Sequence, residues 1–335
     1  MNKNKKGEKK RRNILNYNFS CSILFFELIL LHIILYKKIN YNLIRLNLQS
    51  EIIIKIKIIR NQTIQSILNK KNVSTVNGIK ATFNYLPSEL YINNKSQNIT
   101  MNMKYTLNIG EYNIKMIFNT SLEDCNTIFN GLTNITEINF LIFDSSNLKQ
   151  MIKTFDGCKN LTSLNLKNIN TSKVTDMSEM FCHCESLTSL DISIFDTSSV
   201  TNMNSMFKDC SSLISLNLSN FDTSLVRDMG YMFSYCYSLK SLDVSNFNTS
   251  LVTDIGYMFN FCHDLISLDL SNFNISFNIE INYIFHDYST NLILCINNNQ
   301  TNLFNYLNSI INNINCSDIC FTKSKKIILD IKKCT

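Results

Sequence analysis

One phrase recurs along this chain every 26 residues. Residues 195–220 read FDTSSVTNMNSMFKDCSSLISLNLSN, residues 221–246 read FDTSLVRDMGYMFSYCYSLKSLDVSN, and residues 247–272 read FNTSLVTDIGYMFNFCHDLISLDLSN. Aligned on that period, Cys158, Cys184, Cys210, Cys236 and Cys262 fall in one column. Leu164, Leu190, Leu216, Leu242 and Leu268 fall in another, and Ile169, Phe195, Phe221, Phe247 and Phe273 in a third. Val174, Val200, Val226 and Val252 make a fourth, followed by a Met-Phe column at Met180-Phe181, Met206-Phe207, Met232-Phe233 and Met258-Phe259. A fixed period with fixed apolar columns means that no unit can bury its own apolar face, so each copy packs on the next. Hydrophobic residues make up 45% of the chain, enough to fill such a core.

The inside of one unit can be read from its spacing. Leu-x-x-Leu-x-Leu ends in alternation, which predicts a strand over residues 189–193 with Leu190 and Ile192 inward. Asp196-Thr197-Ser198 suits a turn followed by a helix N-cap. Val200, Met203, Met206 and Phe207 then share one face of a short helix. The expected fold class is therefore an α/β repeat solenoid, a leucine-rich-repeat stack of one strand plus one short helix per 26 residues. The repeat C-x-x-L-x-x-L-x-L-x-x-F-[DN]-T-S-x-V-T-x-M-x-x-M-F resembles that of BspA-type leucine-rich-repeat surface proteins over about residues 129–285. The resemblance implies a surface or secreted protein involved in adhesion and partner binding. In this chain Phe occupies the position where leucine-rich repeats carry an Asn ladder, so other groups, such as the Thr-Ser turns, have to take over its hydrogen bonds.

The repeat fades at both ends, and the array is expected to span residues 129–296, with a last strand near Asn291–Ile296 shifted by one residue. Residues 38–125 contain alternating apolar runs, among them Glu51–Ile59, Glu89–Ile92 and Tyr112–Phe118, and predict a small β-rich capping domain. Residues 297–335 form a Cys-containing C-terminal segment. With Cys295, its Cys316, Cys320 and Cys334 resemble the start of a disulfide-rich extracellular module.

Residues 1–12 carry seven Lys or Arg against Glu8, which accounts for the whole net charge of +6. The rest of the chain sums to zero, which argues against a nucleic-acid binder. Phe19 to Tyr36 is nearly all apolar, broken by Glu27 and His32. A basic tail before an apolar run of this length predicts a transmembrane signal anchor over residues 19–36, with the body outside the cell. Lys37-Lys38 follows where a cleavage site would need small residues; were the segment cleaved, the protein would be secreted.

No Gly-rich phosphate loop, HExxH or Gly-x-Ser-x-Gly is present, so no catalytic residue, cofactor or small-molecule substrate is expected. The four His are scattered and the Cys column reads as core, so no metal is expected either. Cys182 is the exception among the cysteines, in a column read as surface. The expected binding surface is the open sheet face: Ser189, Asp191, Ser193, Ser215, Asn217, Ser219, Ser241, Asp243, Ser245, Ser267, Asp269 and Ser271. A rival patch is the aromatic cluster of Tyr231, Tyr235, Tyr237, Tyr257 and Phe261. The partners expected are other proteins or extracellular matrix, with an intracellular membrane-tethered scaffold as the alternative.

Overall fold

A computed structural model describes residues 50–58, 62–64, 74–76, 79–81, 87–99, 105–107, 110–119, 121–270, 272–274, 283–287 and 292–295. All of them belong to one compact unit, Gln49–Thr335. The expected basic tail, the apolar segment 19–36 and Cys316, Cys320 and Cys334 lie outside the described residues. Within those residues, no helix is long and apolar enough to cross a membrane.

The strands are β1 (Ser50–Ile58), β2 (Gln62–Ile64), β3 (Ser74–Val76), β4 (Ile79–Ala81), β5 (Glu89–Ile92), β6 (Lys95–Ser96), β7 (Tyr105–Leu107) and β8 (Gly110–Phe118). In the array they are β9 (Ile135–Ile142), β10 (Ser163–Asn165), β11 (Ser215–Leu216), β12 (Ser241–Leu242), β13 (Ser267–Asp269) and β14 (Ile293–Cys295). A six-stranded sheet runs β10-β9-β1-β8-β5-β6. Its centre is apolar across the register: Ile52 and Ile54 of β1 face Met116 and Ile114 on one side and Phe140 and Ile138 on the other. The two-residue turn joining β5 to β6 is Asn93-Asn94, both with positive φ (48° and 63°), as a primed hairpin turn requires. Strand β9 is antiparallel to β1 but parallel to β10, the strand of the next repeat. The β-rich segment thus joins the array by extending its sheet, and one hydrophobic core runs from Ile52 to Leu294.

The expected helix is absent. Among the described residues there is no α-helix, and the coils are built from a run of β-turns with short parallel strands on some of them, the coil at residues 189–193 carrying none. The hydrogen bonds explain why. The N–H groups of Met177, Glu179, Phe181 and His183 donate to the carbonyls of Asn202, Asn204, Met206 and Lys208 on the next coil, at 2.8–3.0 Å. The alternate N–H groups, of Met180, Cys182 and Cys184, turn back three residues to Met177, Glu179 and Phe181. A helix spends every interior N–H on its own chain. Here half of them bond coil to coil instead. Flipping alternate peptides requires a left-handed residue at the third position of every second turn. Glu179 (φ 53°) and His183 (φ 56°) supply it here, as Ser205 and Asp209, Tyr231 and Tyr235, and Tyr257 and Phe261 do on later coils. Turns of this kind also place apolar residues three and four apart, so the Met and Phe columns are buried as a helix face would be.

Three side-chain ladders tie the coils together. Cys158, Cys184, Cys210, Cys236 and Cys262 are buried, and each thiol donates to the carbonyl of the Phe one coil back at 3.1–3.2 Å. Thr197 donates to the Asp222 carbonyl, Thr223 to Asn248 and Thr249 to Asn274. The Asn ladder is present after all, one residue ahead of the Phe column. Asn168, Asn220, Asn246 and Asn272 donate to backbone carbonyls of the preceding coil. Phe129, Phe155, Phe181, Phe207, Phe233, Phe259 and Phe285 form one stacked column, with adjacent centroids 5.4–5.8 Å apart.

Coil-to-coil pairing is already present at Asp124, bridged to Gln150. Strand β14 pairs with β13 as Leu268↔Leu294, without a one-residue shift.

Candidate interaction surface

The outward strand positions are exposed as a face, though the sheet is short. Ser189, Asp191, Ser193, Ser215, Asn217, Ser219, Ser241 and Asp243 are exposed, and Ser245, Ser267 and Asp269 are half-buried. Ser271 lies outside the described residues. Residues 189–193 form no regular strand, and Ser193 and its equivalents sit in the turn that ends each strand. The Asp/Asn column caps that turn. Asp191 accepts from the Ser193 N–H at 3.2 Å and its hydroxyl at 2.6 Å, Asn217 from Ser219 at 3.0 Å, and Asp243 from Ser245 at 3.0 Å. The Ser193 hydroxyl and N–H hold the Asp191 carboxyl below its usual range, and Ser245 does the same for Asp243. Much of the polarity of this face is therefore committed to the fold.

The turn face differs. Left-handed residues Tyr231, Tyr235, Tyr257, Phe261 and Tyr283 of the later coils are aromatic, and the coil spacing stacks them. Tyr231, Tyr257 and Tyr283 form one pile with centroids 4.7 and 5.2 Å apart, and Lys208 Nζ lies 5.0 Å over the Tyr231 ring. Tyr235 stacks on Phe261 at 4.6 Å, and Tyr237 on His263 at 5.3 Å. Edge contacts from Tyr235 to Tyr237 and from Phe261 to His263 and His286 join the second and third piles and carry them on to His286. Burial, then Tyr257 and Asp254, push the Tyr231 phenol above its ordinary value. Tyr283, His263 and His286 belong to this patch and were not singled out as binding residues from sequence. The signal was there in the shared columns of 231, 257 and 283 and of 237 and 263.

The reactive side chains are mostly internal. Burial pushes the Cys262 thiol up to about 12 and those of Cys158 and Cys210 higher, so they stay protonated. Cys182, expected at the surface, is buried at 2% exposure, because its column faces the turn interior, where Ser234 and Asn260 are buried too.

Residues 98–215 and again 188–299 match the profile of a family described as "Mycoplasma protein of unknown function, DUF285". Two overlapping matches to one profile are what a repeated sequence produces. No curated protein and no solved structure matches the chain.

Proposed function

The chain belongs to this DUF285 family, matched over more than half its length, and from that premise we propose that its repeat stack is a non-catalytic binding surface for other proteins. In this reading it is kin to the BspA-type surface proteins and is held at the cell surface by residues 19–36. The observation that supports it best is the aromatic turn face. Tyr is enriched among the anchors of protein interfaces. Rings already stacked coil on coil lose little freedom when a partner arrives. The Ser and Asp columns of the sheet face supply a polar platform without such anchors, and contacts repeated every coil add through multivalency.

The test is binding of the purified full chain to a panel of immobilised extracellular-matrix and cell-surface proteins. Tyr235→Asn with Phe261→Asn removes the rings while keeping a residue type that tolerates positive φ. The expected result is saturable binding that falls at least about tenfold in the folded double variant, the loss of one or two interface anchors. Unchanged binding in that variant would move the interface off the turn face.

A further inference from the structure

We propose that Asp156, Cys182 and His183 form a zinc-type divalent metal site that ties two successive coils together. The carboxylate, thiol and imidazole come from adjacent coils, and their ligand atoms all lie within 4.8 Å of one another. His183 Nδ1 is 3.0 Å from Cys182 Sγ and 3.0 Å from Asp156 Oδ1. One ring nitrogen therefore lies within reach of a thiol and a carboxylate at once, and all three are ligand types that zinc takes. A cation among the three takes a lone pair from each at once.

A second observation points the same way. His183 Nε2, on the far side of the ring, lies 3.9 Å from Asp209 Oδ2, an ion-pair distance that a small turn of the ring has to close before the two hydrogen-bond. A carboxylate behind a histidine is the usual outer partner of a metal-bound imidazole, fixing its tautomer and orientation. The donor set of one sulfur, one nitrogen and one oxygen suits zinc rather than magnesium or calcium. Tetrahedral zinc would set its ligand atoms about 3.3–3.6 Å apart, so the two 3.0 Å contacts to Nδ1 have to open by roughly half an ångström. The His183 side chain is 41% exposed, which leaves the fourth position to water. Thiolate and carboxylate together neutralise the ion, and binding releases the thiol proton to solvent without any change of oxidation state. Elsewhere in its column the Cys182 position holds Asp, Lys, Ser and Asn, so the coil itself does not require a thiol there.

The experiment is titration of the reduced full chain with Co2+, followed by Zn2+. One equivalent of Co2+ should give a near-ultraviolet thiolate-to-cobalt band that Zn2+ removes and that Cys182→Ser abolishes. Asp209→Asn should weaken Co2+ binding about 10–100-fold, as loss of an outer-shell partner does. Zn2+ should raise the thermal midpoint of the native chain but not of Cys182→Ser. Asp156→Asn, tested alongside, should lose affinity even if Cys182→Ser fails to fold. A folded native chain without the band would overturn the proposal. So would a band that persists in Cys182→Ser, since it would belong to other cysteines.

Discussion

The backbone of each coil depends on single residues held in the left-handed region. Ser205, at φ 55°, is one of them. An L side chain there costs about 1–2 kcal/mol relative to glycine. Ser205→Gly should therefore stabilise the fold, by at most about 0.5 kcal/mol once the extra freedom of the unfolded chain and the lost hydroxyl bond to Asn204 Oδ1 are counted. Ser205→Val should destabilise it by about 1–2 kcal/mol, the usual cost of forcing a β-branched residue into such a conformation. In a helix the glycine would have the opposite effect, losing about 1 kcal/mol. A second residue-scale effect is set by acid. Asp196 accepts hydrogen bonds from the Ser198 hydroxyl (2.6 Å) and N–H (3.0 Å), which hold its pKa below the ordinary 3.8. A group with a depressed folded pKa contributes stability that is present above its unfolded value and is lost as pH falls through the folded one. Thermal melts should thus weaken below about pH 4, and Asp196→Asn, which keeps one acceptor, should flatten that slope. These residues were hard to read from sequence. The columns of Met and Phe are buried where periodicity put them, but spacing of three and four residues fits both a helix and a run of turns. The discriminating signal was weak: Gly131 and Gly157, a full repeat apart, stand in a left-handed column that later coils fill with His, Asp, Tyr and Phe.

At the scale of the coil, stability comes from ladders that cross from one copy to the next. Thr223 is 1% exposed; its hydroxyl donates to the Asn248 carbonyl at 3.0 Å and accepts from the Asn248 N–H at 2.7 Å. Thr223→Val keeps the shape and leaves both backbone groups unpaired, for an expected loss of about 2–3 kcal/mol. Phe207 stacks between Phe181 and Phe233 at 5.5 and 5.6 Å with no exposure. Phe207→Ala should cost about 3–5 kcal/mol. Both are measured as shifts in thermal or denaturant midpoint; a Thr223→Val chain as stable as the parent would remove the Thr ladder from the account. The [DN]-T-S phrase was legible as a turn. That its Thr bonds forward to the next coil, while Asn one place before the Phe column bonds backward, was not. Those partners are a full repeat away in sequence and become neighbours only when the coils stack.

For the whole molecule, repetition converts a short pattern into a continuous core with two long outer faces. The sheet face was legible because alternation identifies its outward positions. Its use of Asp and Asn as turn caps was not, since those partners are set by local backbone geometry. The aromatic turn face was legible as columns but not as piles, because the stacking depends on the left-handed backbone beneath it. Binding through either face outside the cell requires the array to stand outside the membrane. The most direct test is to label intact cells with a membrane-impermeant amine reagent and recover the chain with an antibody to residues 320–335. Amine chemistry is preferred, since Cys125, Cys158, Cys182, Cys184, Cys210, Cys236 and Cys262 are all buried while Lys149, Lys167 and Lys240 are exposed. The account predicts acylation of those lysines before the cells are opened. Acylation only after lysis would contradict it and place the array inside, as a membrane-tethered scaffold.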